Sequence, residues 1–213
     1  MDTRKSVALE LAGLTVLTAL FLATFEVRPS YVDFALAAAA VVLIVATAPR
    51  SRRLWQAIPV PRAARLTRQR AAFAACAAFT AVALIVLALL GVLFDAGTAT
   101  LDRFRNWHII VAMALYFPWA FLQQLIFQFY LFGRLLQLAP LPLAASLTAL
   151  AFASVHFPRW PVMGVIVIAG AAWSLMYYRH RALLPLAASH AILGSALHYW
   201  VFGRDLLETW LTR

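Results

Sequence analysis

Carboxylates and cysteines are scarce in this chain, and both shortages limit its chemistry. No aspartate or glutamate occurs between Asp102 and Asp205, so this long stretch has no carboxylate to act as a general base or a metal ligand. Cys76 is the only cysteine, which excludes an intrachain disulfide and a zinc site built on several thiolates. Histidines and neutral polar side chains are therefore the candidates for any site in the second half of the chain.

Charged residues are scarce as well, and apolar residues are abundant. Charged side chains make up 12% of the 213 residues and hydrophobic ones 64%, whereas a soluble domain carries about 25% charged residues. A soluble domain of this length could not hide so much apolar surface from water. The composition predicts an all-α polytopic membrane protein, a single integral membrane domain over residues 1–213. We expect N-terminal helices in 7–94 and a helical core in 108–202.

Long apolar stretches give the number of membrane-spanning helices, each of which needs about 20 mostly apolar residues. Such stretches are 7–25, 31–48, 71–94, 108–137, 141–157, 161–178 and 182–202. They predict about seven spans, or eight if Pro118 splits the fourth stretch instead of kinking it. Seven spans agree better with the positive charges, because Lys and Arg are enriched in cytoplasmic loops.

Positive charge predicts the orientation and the partners. Seven arginines and no acid lie in residues 49–70. They are Arg50, Arg52, Arg53, Arg62, Arg65, Arg68 and Arg70. Because apolar spans flank this run, it favours a cytoplasmic loop on anionic lipid over a nucleic-acid site. We expect the N-terminus, with Arg4 and Lys5, and also Arg134 and the turn at 179–181, on the cytoplasmic side. The arginine and alanine preference is typical of GC-rich bacteria, which suggests the bacterial cytoplasmic (inner) membrane.

Polar side chains inside apolar spans are costly in lipid, so each is a candidate for function. These are Glu10, Gln123, Gln124, Gln128, His156, His190 and His198. Gln124 and Gln128 are four residues apart and share a helix face. Their amides either hydrogen-bond to neighbouring helices or line a polar cavity with His156 and His190. Glu10 is near enough to the start of its span to reach the interface.

Three short motifs carry a resemblance to a known family. They read Gln123-Gln124-Leu-Ile-Phe-Gln128, Phe152-Ala-Ser-Val-His156 and His190-Ala-Ile-Leu-Gly194. Their order and spacing resemble the CPBP family, the CAAX-protease and bacteriocin-processing intramembrane proteins, over residues 108–200. The family's motifs are Glu-Glu-x-x-x-Arg, Phe-x-x-x-His and His-x-x-x-Asn or Asp. The second is intact here, whereas the first and third are degenerate.

The resemblance implies catalytic positions at Gln123, Gln124, His156 and His190. In the family, a glutamate and a histidine are thought to activate a water molecule, while a second histidine and the asparagine stabilise the oxyanion. A glutamine amide cannot take the proton, and a lost general base lowers the rate about 10²–10⁴-fold. Gly194 lacks an oxyanion donor, which is worth about 10²–10³-fold more. With Gln128 in place of arginine, the charges have been lost as a set, and we predict a pseudoenzyme without metal or cofactor.

The predicted function is therefore that of a CPBP-like membrane protein without proteolytic activity. It would be a binding or structural subunit for a lipid, a hydrophobic ligand or a partner membrane protein. The alternative is an active CAAX-protease-like intramembrane endopeptidase whose base is His156, His190 or Glu10. A purely structural subunit is a third interpretation. A transporter is disfavoured, because the late helices have no charged pathway.

Overall fold

All regular structure in the described part of the chain is helical. The computed structural model describes residues 3–24, 30–55, 62–94 and 99–211. Its helices confirm the predicted all-α membrane architecture. Most of the predicted cytoplasmic loop, including the side chains at 48–65, lies outside the described residues, so the position of the arginine cluster stays a prediction.

The helices follow one another with short connections. The α-helices are α1 Thr3–Ala23, α2 Ser30–Trp55, α3 Arg62–Phe94, α4 Ala99–Arg105, α5 His108–Gln124, α6 Gly133–Leu135, α7 Leu141–Ser154, α8 Trp160–His180, α9 Leu184–Ala196 and α10 Leu206–Leu211. Two π-helices continue α5 and α9, namely π1 Leu125–Phe132 and π2 Leu197–Val201.

Four described segments are long and apolar enough to cross a membrane. They are Lys5–Ala23, Leu66–Phe94, His108–Leu135 and Trp160–His180, and Tyr31–Thr47 and Leu141–Ser154 are shorter apolar helices. All six coincide with predicted spans, and α9 with π2 covers the seventh. The segment around Pro118 is one continuous helical stretch, as the seven-span interpretation requires. On α3, Val82, Ile85 and Leu89 are 63%, 62% and 59% exposed, which suits a face turned to lipid.

The chain forms two compact units, Met1–Arg65 with Gln123–Arg181 and Leu66–Leu122 with Ala182–Arg213. In the first unit, α7 packs on α8 and π1 packs on α2, α7 and α8. A Cβ atom at Gly170 would lie 3.2 Å from Ala149 Cα, so the small residue permits close approach of two helices. In the second unit, Thr80 Oγ1 donates to Ser189 Oγ over 2.8 Å, which joins α3 to α9.

The C-terminal end of the second unit is fastened by Asp205. Its Oδ2 atom accepts from Asn106 Nδ2 over 2.9 Å and lies 2.6 Å from His108 Nδ1. Its Oδ1 atom accepts from Tyr199 Oη over 2.7 Å and from the backbone N–H of Glu208 over 3.0 Å. Asp205 therefore caps α10 and also ties it to π2 and to the start of α5.

We expect acidification to weaken this end of the protein. Burial acts to raise the pKa of Asp205, but hydrogen bonds from Tyr199, the Glu208 backbone, Asn106 and His108 outweigh it and hold the pKa below its ordinary value of 3.8. A carboxyl group with a depressed folded-state pKa gives stability that is complete above its unfolded pKa and is lost as the pH falls through the folded one. The unfolding temperature in detergent should therefore fall below about pH 4, less steeply in Asp205→Asn. Equal slopes in the two proteins would contradict this assignment.

Candidate functional site

The first motif lies where α5 continues into π1. Gln124 is the last residue of α5 and Gln128 lies within π1, and both side chains are 0% exposed. Gln123, beside them, is partly buried. A π-helical segment inside a longer helix often marks a functional site. The two glutamines that the sequence places on one face are thus both turned into the protein.

The amide groups of these buried glutamines are incompletely hydrogen-bonded. Among the described residues, nothing hydrogen-bonds to Nε2 or Oε1 of Gln124 or to Nε2 of Gln128. Ser174 Oγ lies 2.9 Å from Gln128 Oε1 and 2.8 Å from the carbonyl oxygen of Gly170. The single hydroxyl hydrogen of Ser174 cannot fully serve both acceptors. Whichever acceptor the hydroxyl chooses, the Gln128 amide can still form further hydrogen bonds. Buried amides in this condition are rare in folded proteins and call for an explanation.

The second motif forms an aromatic wall beside the first. The Phe152 ring stacks on Phe127 of π1, with centroids 4.7 Å apart, and lies 5.9 Å from Trp173 of α8. His156 follows one turn later and meets Phe152 edge-on at 5.6 Å. The Phe127–Phe152 contact therefore brings the first and second motifs together within the first unit.

A backbone contact sets the proton position on His156. Its Nδ1 atom lies 3.0 Å from the carbonyl oxygen of Phe152. A carbonyl oxygen only accepts, so Nδ1 carries the hydrogen and donates it. In the neutral ring, Nε2 then has its lone pair available. The partly buried His156 therefore offers an acceptor, whereas the glutamine amides offer donors and acceptors without basicity.

The third motif lies in the second unit. His190 is 3% exposed, and its Nε2 atom lies 3.2 Å from Tyr116 Oη. Gly194 comes one turn later on α9 and faces the same tyrosine ring. Tyr116 is a residue that the motifs do not indicate, because its distance of 74 residues from His190 hides the contact from any local pattern.

A buried charge cluster in the first unit was also missed. Arg134 and Glu10, with side chains 3% and 6% exposed, form an ion pair of 2.6 Å. Tyr130 Oη donates to Glu10 Oε2 over 3.3 Å, and Thr47 Oγ1 donates to Tyr130 Oη over 3.2 Å. An arginine therefore holds Glu10 inside the protein, while the depth of this pair in the membrane stays a prediction. The sequence did hold a signal for this pair, because Glu10 and Arg134 are isolated opposite charges in two apolar spans.

Both oxygens of the Glu10 carboxylate have partners within the charge cluster. The Oε2 atom of Glu10 is taken by Arg134 and Tyr130, and Oε1 lies 3.5 Å from Ser6 Oγ. In the described ranges, no group of three or more His, Cys, Asp and Glu side chains could hold a metal ion. The group of motif side chains in the first unit is thus neutral, aromatic and amide-rich, with one imidazole.

Comparison with known proteins relates part of the chain to a known family. No curated protein and no solved structure matches the chain. A family model described as type II CAAX prenyl endopeptidase Rce1-like matches residues 104–195, which include all three motifs. Over residues 104–195 the chain is therefore similar to the Rce1-like type II CAAX prenyl endopeptidases, as the motifs predict.

Proposed function

We propose that this CPBP-type membrane protein has lost proteolytic activity and binds a neutral, largely hydrophobic molecule or a partner's transmembrane segment. One observation carries the proposal: Gln124 is fully buried, and both ends of its amide have no hydrogen-bond partner among the described residues. A ligand that brings a carbonyl, hydroxyl or amide group to Gln124 and Gln128 would complete these bonds.

The energetic argument favours a bound polar group. Leaving a buried donor or acceptor unsatisfied costs about 1–3 kcal/mol per group. A protein keeps such a cost where function requires it. The surroundings set the class of ligand, because the aromatic side chains of Phe127, Phe152 and Trp173 suit an apolar body. Uncharged amides favour a neutral polar group over a carboxylate or an ammonium group.

The membrane and orientation belong to the same proposal. A basic N-terminus and the arginine-rich segment at 49–70 support a cytoplasmic N-terminus facing anionic lipid. The composition supports the bacterial inner membrane. Cysteine accessibility would test the orientation: with Cys76 replaced by alanine, a cysteine introduced at the exposed Lys5 should be protected from a membrane-impermeant reagent in intact cells and labelled once the cells are opened. Labelling of that cysteine from outside would overturn the proposed orientation.

We expect no cleavage of a prenylated CAAX peptide by the purified full-length protein. Losing the base and the oxyanion donor lowers the rate about 10⁴–10⁷-fold when the two effects multiply. Mass spectrometry of the peptide should give identical product levels for the wild type, His156→Ala, His190→Ala and a blank. Both alanine variants should also retain less of any small molecule extracted with the wild type. Full retention by both would contradict the binding role of the histidines.

A second candidate function is supported by the proton position on His156. With Nδ1–H bound to the Phe152 carbonyl, the Nε2 lone pair could accept a proton from a water molecule. This would be an endopeptidase with histidine as its only base. If the wild type cleaves a peptide reproducibly and His156→Ala abolishes the cleavage, this second candidate is favoured over the first.

A further inference from the structure

Tyr116 lies where the third motif lacks a side chain. An ideal Cβ atom on Gly194 would lie 3.0 Å from Tyr116 Cε1 and 3.8 Å from both Cδ1 and Cζ. Gly194 is four residues after His190 on α9, so the two positions share a helix face. The tyrosine ring therefore fills the space that a side chain at 194 would need.

The same tyrosine contacts the histidine of the motif. Its Oη atom is 3.2 Å from His190 Nε2, and the two rings meet edge to face, 5.5 Å apart at 83°. A phenol hydroxyl is a good donor and an imidazole lone pair a good acceptor. If Tyr116 donates to Nε2, the proton of the neutral ring is on Nδ1.

We propose that Tyr116 is the positioning residue of His190, replacing in space and in hydrogen bonding the side chain that the motif lacks at 194. In this proposal the two residues depend on each other: Tyr116 can occupy its position only because residue 194 is glycine. Restoring a side chain at 194 alone would displace Tyr116 and release His190. This inference deepens the proposed function by naming the group that orients one of its polar side chains, but its test needs no ligand.

The hydrogen bond can be tested by ¹⁵N NMR of histidine-labelled full-length protein in detergent, with the His190 signals assigned from His190→Ala. In the wild type, Nδ1 should be protonated and Nε2 should not. Tyr116→Phe keeps the ring against Gly194 and removes only the hydroxyl. The Nε2 resonance should shift and the tautomers should mix in this variant. An unchanged Nε2 resonance would overturn the proposed hydrogen bond, whether or not the protein binds a ligand or cleaves a peptide.

The steric coupling can be tested by thermal unfolding of glycine variants. Gly194→Ala should lower the unfolding temperature by roughly 3 °C or more, because the new methyl group meets the tyrosine ring. Gly164→Ala is the matched control, since nothing lies within 4 Å of a Cβ atom there, and it should raise the temperature slightly. In a Tyr116→Ala background, Gly194→Ala should behave like the control. An equal loss in both backgrounds would overturn the coupling.

Discussion

Replacing Arg134 with alanine is expected to destabilise the protein by about 3–5 kcal/mol, the largest effect of any single change considered. The substitution leaves the Glu10 carboxylate buried, 6% exposed, without the guanidinium that lies 2.6 Å away. It also removes the cation beside Tyr130, whose ring centroid is 5.2 Å from Arg134 Cζ. The pair joins α1 to the stretch after π1, so its loss should loosen α1 from the first unit.

A double substitution separates the effect of the pair from the effect of its burial. Glu10→Leu with Arg134→Met removes both charges, and an apolar replacement of a buried ion pair is often neutral or stabilising. We expect the double variant to unfold near the wild-type temperature in detergent, and each single variant well below it. Asp102→Asn, which alters an exposed acid on α4, is the control and should change little. A loss of less than about 1 kcal/mol in Arg134→Ala would show that the pair contributes little.

Gln124→Met should change stability in the opposite direction to Arg134→Ala. We expect it to stabilise the ligand-free protein by about 1–3 kcal/mol. The glutamine buries an amide whose two ends have no partner in the described part of the chain, and methionine fills a similar volume without any group that needs a partner. A stabilising substitution at a natural core position indicates that the native residue is kept for function. The same change should weaken ligand binding, because it removes a donor and an acceptor from the site.

Gln128→Met is the matched comparison for this prediction. Gln128 is equally buried, but its Oε1 atom lies 2.9 Å from Ser174 Oγ, so the substitution breaks one hydrogen bond while it removes one unpaired atom. Its gain in stability should therefore be smaller than that of Gln124→Met. The measurement is the unfolding temperature of ligand-free protein in one detergent. A loss of stability in Gln124→Met would mean that the amide is satisfied and has no vacancy for a ligand.

The helices were predictable because the bilayer constrains them strongly. A run of about 20 apolar residues has few alternatives to a helix in lipid. The stretch around Pro118 was correctly predicted as one segment, because the positive charges favoured it. The π-helices were not predictable, since an extra residue per turn leaves no composition signal over a few residues.

The candidate site was predictable only where the contacts are local. Phe152 and His156 are one turn apart, and their ring contact follows from that spacing. The Glu10–Arg134 pair and the Tyr116–His190 contact join residues far apart in the chain. A single sequence suggests such partners only by their rarity, and tyrosine is too common in membrane helices to attract notice. The sequence therefore predicted the neutral character of the motifs but not the side chains that accompany it.

Native mass spectrometry of the full-length protein, extracted gently from its own membrane, tests the central claim most directly. The wild type and Gln124→Met should be compared in the same detergent at matched collision energy. A stoichiometric neutral molecule or partner chain on the wild type, with lower occupancy on the variant, is the predicted result. A wild-type protein that emerges as a lone chain, with a mass spectrum indistinguishable from that of the variant, would contradict the binding role.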